Sequence, residues 1–132
     1  MRLVSNGGGV RTSTTSATHS RTRDSIETHR GWCAWVRDRV VFIKPFGWEP
    51  WATYPDFGSN NELYAAGDYL EIETLGPLVT LAPGERTTHI ERWFLFRDVD
   101  TGHSERELYD ALLTLLETTD RAISRAPPDI AS

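Results

Sequence analysis

The stretch from residue 69 to residue 96 constrains the fold most, because two alternating segments flank a tight turn there. Pro83-Gly84 has the chemistry of that turn, since proline fixes φ and glycine readily takes a positive φ. We expect the turn to close a strand at 79–82 onto a strand that starts near Arg86. Successive strand side chains point to opposite faces, so the first segment has an apolar and an acidic face, in the order Tyr69, Leu70, Glu71, Ile72, Glu73.

Other segments predict further strands and one helix. Residues 32–36 and 40–44 are apolar runs joined by a polar turn, as in a β-hairpin, and 60–64 is a short strand that turns at 66–68. Ser104-Glu105-Arg106-Glu107 is a capping box, a signature of helix starts. The apolar residues after it recur at helical spacing, which predicts an amphipathic helix over 104–119 that packs against the sheet or a partner: Leu108, Ala111, Leu112, Leu115, Leu116.

The two ends of the chain differ in composition from its middle. Residues 1–30 are rich in Ser, Thr, Gly and Arg. Such a segment buries too little apolar surface to offset an ordering entropy of roughly 1–2 kcal/mol per residue. We therefore expect disorder at 1–30 and at 120–132, around a single domain at 31–119 that includes the helix.

Charge and cysteine content narrow the class of protein. The net charge of the 132 residues is −5, whereas nucleic-acid binders carry basic patches. Cys33 is the only cysteine, so no intrachain disulfide forms and nothing points to an oxidising compartment. The sequence has no run of about 18 apolar residues, the length that a membrane span needs. A cytoplasmic protein with no nucleic-acid or membrane partner is the expectation.

The central stretch resembles the C-terminal part of the galactose mutarotase (aldose 1-epimerase) superfamily, and within it an uncharacterised microbial branch. The resemblance covers residues 31–98 and is best over 54–96. It rests on these segments in order: Tyr54-Pro-Asp-Phe-Gly, Glu73-Thr-Leu-Gly-Pro-Leu, Leu81-Ala-Pro-Gly-Glu, and Thr87-Thr-His-Ile-Glu-Arg-Trp-Phe-Leu-Phe. It implies a mainly β fold: an antiparallel, partial mutarotase-like supersandwich with one C-terminal α-helix. Because members continue the sandwich upstream, it also implies a shortened family domain.

The resemblance implies a role for Glu73. Ile72-Glu73-Thr74 matches the family motif whose glutamate takes the proton from the anomeric hydroxyl, and anomer interchange also needs an acid at the ring oxygen. Glu71, on the same strand face, would oppose ionisation of Glu73 because like charges repel. The family's acid is usually a histidine further upstream, in sequence that this chain does not contain. Two glutamates on a wet strand face are also ordinary solubilising residues, and both readings stay open.

An aromatic loop at 45–58 is the second candidate site. Sugars present flat C–H faces that stack on tryptophan, and Trp48 and Trp51 would form such a platform. Alternatively, the loop merely plugs one end of a sandwich. The polar residues expected to contact a sugar lie in and around this loop and at the rim of the site: Lys44, Asp56, Asn60, Glu71, His89. The sequence shows no zinc spacing and no phosphate-binding glycine loop, so no metal or cofactor is expected.

Three functions remain open from the sequence. The first is a carbohydrate-binding, aldose 1-epimerase-like domain without the full catalytic apparatus. The second is an active aldose 1-epimerase with Glu73 as its base. The third is a non-functional fragment or a protein-interaction module that uses the leucine-rich helix. The partners expected are a sugar or sugar derivative and, since the sheet would leave one face uncovered, a second copy of the chain.

Overall fold

The computed structural model describes residues 2–5, 22–26, 31–66 and 69–126 of the chain. In these residues, strands β1, β3, β4 and β7 form one antiparallel sheet in that order, and β2, β5 and β6 form a second. The mainly β prediction with one C-terminal helix is confirmed. The elements are β1 Arg2–Ser5, β2 Thr22–Ile26, β3 Trp32–Arg37, β4 Val40–Pro45, α1 Pro55–Gly58, β5 Asn61–Ala66, β6 Tyr69–Thr74, β7 Phe94–Phe96 and α2 Glu105–Arg125.

The hairpin of β3 and β4 forms as predicted. Arg37 pairs with Val40, and the two residues between them, Asp38 and Arg39, have φ of 48° and 63°. Two consecutive positive φ values are typical of a type I′ turn, whose twist matches that of the flanking strands. The turn therefore sets the register of the central strands of the larger sheet.

One face of the larger sheet is covered by α2. The strand residues on this face alternate with those on the other face, and they pack against two leucines one helical turn apart. The buried side chains of this core are Val4, Trp32, Ala34, Val36, Val41, Ile43, Leu108 and Leu112. The amphipathic helix thus packs against the sheet, the first of the two alternatives that the sequence left open.

Helix α2 starts as predicted but ends later. The Ser104 hydroxyl accepts from the Glu107 backbone N–H at 3.2 Å, and the Glu107 carboxylate accepts from the Ser104 backbone N–H at 2.9 Å. The expected tail from residue 120 is wrong as far as Arg125, because nothing in 120–125 breaks a helix. Ala126 is extended, with ψ 145°, the conformation that the following proline favours. Residues 127–132 lie outside the described part of the chain.

The second face of the larger sheet meets β6 of the smaller one. Cys33 and Lys44 are opposite each other in the register, and both are buried on this face. The Lys44 ammonium donates to the Ile72 carbonyl at 3.0 Å, which joins β4 to β6. The order of layers is therefore helix, four-stranded sheet, three-stranded sheet.

Two strands lie where disorder was expected. β1 pairs with β3 and β2 pairs with β5, so the expectation is wrong at Arg2–Ser5 and Thr22–Ile26. Leu3 and Val4 supply the physical reason at β1, because both side chains are buried and gain apolar burial. The other residues of 1–30, and the predicted turn at 67–68, lie outside the described residues.

The predicted strands at 79–82 and from Arg86 do not form. The turn between them does, since Gly84 has φ 90° and Glu85 N–H donates to the Ala82 carbonyl at 3.0 Å. The side chains of residues 78–90 are exposed, so a strand here would bury no apolar face. Pairing with β4 and the residue after it begins only further along the chain, first through a bridge between Phe46 and Glu91 and then through β7.

Gly31, at the entrance to β3, has a conformation and a contact that only glycine allows. Its φ is 59°, and an added Cβ would overlap the Phe46 carbonyl oxygen. Gly31→Ala is expected to lower the free energy of unfolding by about 1–3 kcal/mol, measured by urea denaturation. Gly47→Ala is the matched control, because a Cβ there meets nothing within 4 Å. Equal effects of the two substitutions would contradict this account.

None of the described helices has the length and apolar character that a membrane crossing requires.

Candidate functional site

A polar cluster forms where the end of β4, the end of β6 and the segment before β7 meet. The Glu91 carboxylate lies at its centre and accepts from the Lys44 ammonium at 2.6 Å, from the Thr74 hydroxyl, and from the Trp93 indole N–H at 3.3 Å. His89 Nε2 lies 3.0 Å from the Thr74 hydroxyl and 3.8 Å from Glu91 Oε1. We call Lys44, Thr74, His89, Glu91 and Trp93 the polar cluster.

The charges of the cluster compensate each other away from bulk water. The Lys44 side chain is 5% exposed and that of Glu91 is 26% exposed. Partial burial alone would raise the pKa of Glu91, but hydrogen bonds from Lys44 and Thr74, the lysine charge and the Trp93 hydrogen bond outweigh it and lower that pKa. Glu91 is therefore ionised at neutral pH and paired with the ammonium.

The hydrogen bonds of the cluster also assign a donor role to His89 Nε2. The Thr74 hydroxyl has one proton, which it donates to Glu91, so in the neutral imidazole Nε2 carries the proton that Thr74 accepts. Nδ1 is then the acceptor, and it lies 3.3 Å from where a Cβ of Gly76 would be. The cluster thus contains one oriented imidazole, 33% exposed.

The polar cluster stabilises the position at which the aromatic loop leaves strand β4. Both Glu91 carboxylate oxygens are engaged, Oε1 by Lys44 and Thr74 and Oε2 by Trp93. The Glu91 backbone bridges Phe46, and Arg92 N–H donates to the Pro45 carbonyl at 3.4 Å. The ion pair therefore holds the place where the loop leaves β4.

The aromatic loop encloses an open cleft of about 490 Å³, which we call the aromatic cleft. The Tyr54 hydroxyl, on a ring only 7% exposed, accepts from the Glu49 backbone N–H at 2.8 Å. Leu78 N–H donates to the Thr53 carbonyl at 2.7 Å and holds the loop from the other side. The lining residues are Trp48, Glu49, Pro50, Ala52, Thr53, Tyr54, Phe57 and Gly58.

One end of the cleft is formed by the strained turn α1. Asp56 and Phe57 both have positive φ, 48° and 63°, so α1 is a left-handed turn in its interior, although Ser59 N–H bonds back to the Pro55 carbonyl at 3.1 Å. A bulky residue in the left-handed region is an outlier. The turn exposes the Phe57 ring completely.

The structure divides the predicted binding residues between several places. Lys44 and His89 come together in the polar cluster. Trp48 lines the cleft, whereas Trp51 is 96% exposed and lies outside its lining. The platform of two tryptophans is therefore not formed.

The remaining predicted contact residues lie apart from the cleft. Asp56 is exposed in α1 but does not line the cleft. Asn60 is completely buried. Glu71 is exposed on β6, opposite Tyr64.

Glu73 and His89 are separated by strand β6. Glu73 pairs with Glu62 across the sheet, and Thr74 pairs with Asn61. Because neighbouring strand residues point to opposite faces, Glu73 points away from the side on which Thr74 contacts His89. A base at Glu73 and an acid at His89 would therefore not face one sugar.

Several residues of the polar cluster and of the aromatic cleft were not singled out from the sequence. The alternating pattern indicated Glu91 and Trp93, because both share a strand side with His89. Thr74 is distant from them in sequence, and only the folded chain brings it to Glu91 and His89. Glu49, Tyr54 and Phe57 gave no separate signal, because the local pattern does not reveal the left-handed turn. The described residues contain no group of three metal-ligating side chains.

Comparison with known proteins adds no assignment: no protein-family model, no curated protein and no solved structure matches the chain.

Proposed function

We propose that the protein binds carbohydrate in the aromatic cleft and does not itself interconvert anomers. The observation that carries the proposal is the lining of the cleft, in which the aromatic residues Trp48, Tyr54 and Phe57 adjoin residues with polar groups. Aromatic faces pack against the C–H faces of a sugar ring. A volume of about 490 Å³ is within the range of roughly 300–1,000 Å³ that small-molecule sites occupy.

The polar groups of the cleft suit a ligand rich in hydroxyls. The Tyr54 hydroxyl already accepts from Glu49 N–H, so its own proton is available to a ligand oxygen. The Glu49 carboxylate is an acceptor, and the Thr53 hydroxyl can donate or accept. Few polar groups among aromatic walls are the usual composition of a site that orients a small ligand.

The strain at Phe57 supports a binding role over a plug. A left-handed backbone at a bulky residue costs of order 1–3 kcal/mol, and a fully exposed ring gains no burial that would offset it. A loop that only closed one end of a sandwich would bury this ring. A ligand that stacks on it would gain the burial that the free protein lacks.

The geometry gives less support to the active epimerase. Its reaction needs a base and an acid on either side of one sugar. Glu73 points away from the side of β6 on which Thr74 contacts His89, so the two side chains do not face one sugar. Polarimetry of fresh α-glucose checks this reading. We expect a rate equal to that of buffer, and a faster rate that Glu73→Gln abolishes would overturn it.

Trp48→Ala is expected to weaken glucose or galactose binding at least about tenfold, because it removes a stacking face, measured by isothermal titration calorimetry. Trp51→Ala is the matched control and should change the affinity by less than about twofold, since Trp51 lies outside the lining. No binding of either sugar by the native protein, or equal losses in the two variants, would contradict the proposal.

A further inference from the structure

We infer that the aromatic cleft selects sugars by charge and takes a cationic amino sugar in preference to a neutral one, and a neutral one in preference to an acidic one. This inference rests on the proposed function, because it concerns the ligand class of the same cleft. It is carried by two features of the lining, namely its single charge and its aromatic faces.

The charge of the cleft is negative. Among the described residues that line it, Glu49 is the only acidic one, and none is basic. Asp56, beside Phe57 in α1, is a further exposed carboxylate of the loop, outside the lining. Lys44, the only lysine of the chain, leads into the loop but is buried against Glu91. A phosphate or carboxylate on a sugar would therefore meet a like charge, and the lining offers no cation to pair with it.

The aromatic walls act in the same direction. The face of an aromatic ring is electron-rich, so a cation within about 6 Å of the ring centre is attracted to it, most strongly by tryptophan. Trp48, next to Glu49 in sequence, and Phe57 both belong to the lining that contains Glu49. An ammonium group on a bound sugar would be attracted by the carboxylate and by a ring face, whereas a hydroxyl in its place carries no charge and could only donate a hydrogen bond to the carboxylate as a neutral donor.

The test is calorimetric titration with glucose, glucosamine and glucuronic acid at low ionic strength, below the pKa of the glucosamine ammonium. One unit charge about 4 Å from Glu49 in a wet site changes affinity about fivefold. We expect glucosamine to bind about fivefold more tightly than glucose, and glucuronic acid about fivefold more weakly. Because Glu49 is exposed, both differences should shrink at about 0.15 M salt.

Glu49→Gln separates the charge of the cleft from the net charge of the protein. Whatever its effect on the affinity for glucose, the variant should lose most of the preference for glucosamine over glucose, measured as the ratio of the two dissociation constants. Glu117→Gln is the matched control, since it makes the same change of charge on the exposed surface of α2 and should keep the preference.

The outcomes distinguish this inference from the function on which it rests. If glucose and glucosamine bind equally, or if Glu49→Gln keeps the preference, the inference is overturned and carbohydrate binding stands. Tighter binding of glucuronic acid would also overturn it. If none of the three sugars binds, the proposed function itself fails.

Discussion

Leu112→Ala is expected to lower the free energy of unfolding by about 2–5 kcal/mol. The Leu112 side chain is completely buried between α2 and the four-stranded sheet, in one core with Val41 and Ile43. Its truncation removes apolar burial and leaves a cavity between layers that cannot fully collapse. Urea denaturation followed by circular dichroism measures the loss.

Leu113→Ala is the matched control for this prediction. The substitution is the same, one position along α2, but Leu113 is only half-buried and lies outside the core cluster. It should cost under about 1 kcal/mol. If the two variants lose equal stability, α2 does not cover the sheet through Leu108 and Leu112.

Glu91→Gln is expected to cost about 3 kcal/mol of stability at neutral pH. The substitution keeps the shape of the side chain but leaves the buried Lys44 ammonium without its carboxylate, and a buried charge that loses its partner costs roughly 3–5 kcal/mol. The lower end applies because the Glu91 side chain is 26% exposed. Urea denaturation at pH 7 measures the loss.

The cost of Glu91→Gln should depend on pH in one direction. The pKa of Glu91 is lowered in the folded protein, so its contribution is fully present above the unfolded pKa of about 4.3 and is lost as pH falls through the folded pKa. The difference between native and variant protein should therefore shrink in acid. Asp38→Asn is the control, since Asp38 pairs with Arg37 in an exposed salt bridge that is worth under about 1 kcal/mol. A pH-independent difference, or an equal loss of stability in Asp38→Asn and Glu91→Gln, would contradict a stabilising role of the Lys44–Glu91 ion pair.

The elements that sequence analysis predicted correctly are those with local signals. Two apolar runs around a polar turn specify the β3–β4 hairpin, and the turn residues tolerate the positive φ that it needs. The capping box and the leucine spacing specify the start and buried face of α2. In each case the residues that determine the structure lie within a few positions of one another.

The features that were missed depend on pairing between distant segments. β1 and β2 come from low-complexity sequence, and each becomes a strand by adding to the edge of a sheet, next to β3 and β5. The segment 79–82 has strand composition but pairs with no strand among the described residues, so it stays irregular. The polar cluster unites residues from position 44 to position 93, and the family resemblance drew attention to Glu73, which the strand alternation directs away from it.

The central claim is that a sugar binds in the aromatic cleft, and a two-dimensional amide NMR titration with glucosamine tests it most directly. The chain has five tryptophans, whose indole N–H signals report on separate places. The account predicts a saturable shift of the Trp48 signal while the Trp93 signal, in the polar cluster, stays in place. A Trp48 signal that does not move, or a shift confined to Trp93, would contradict it.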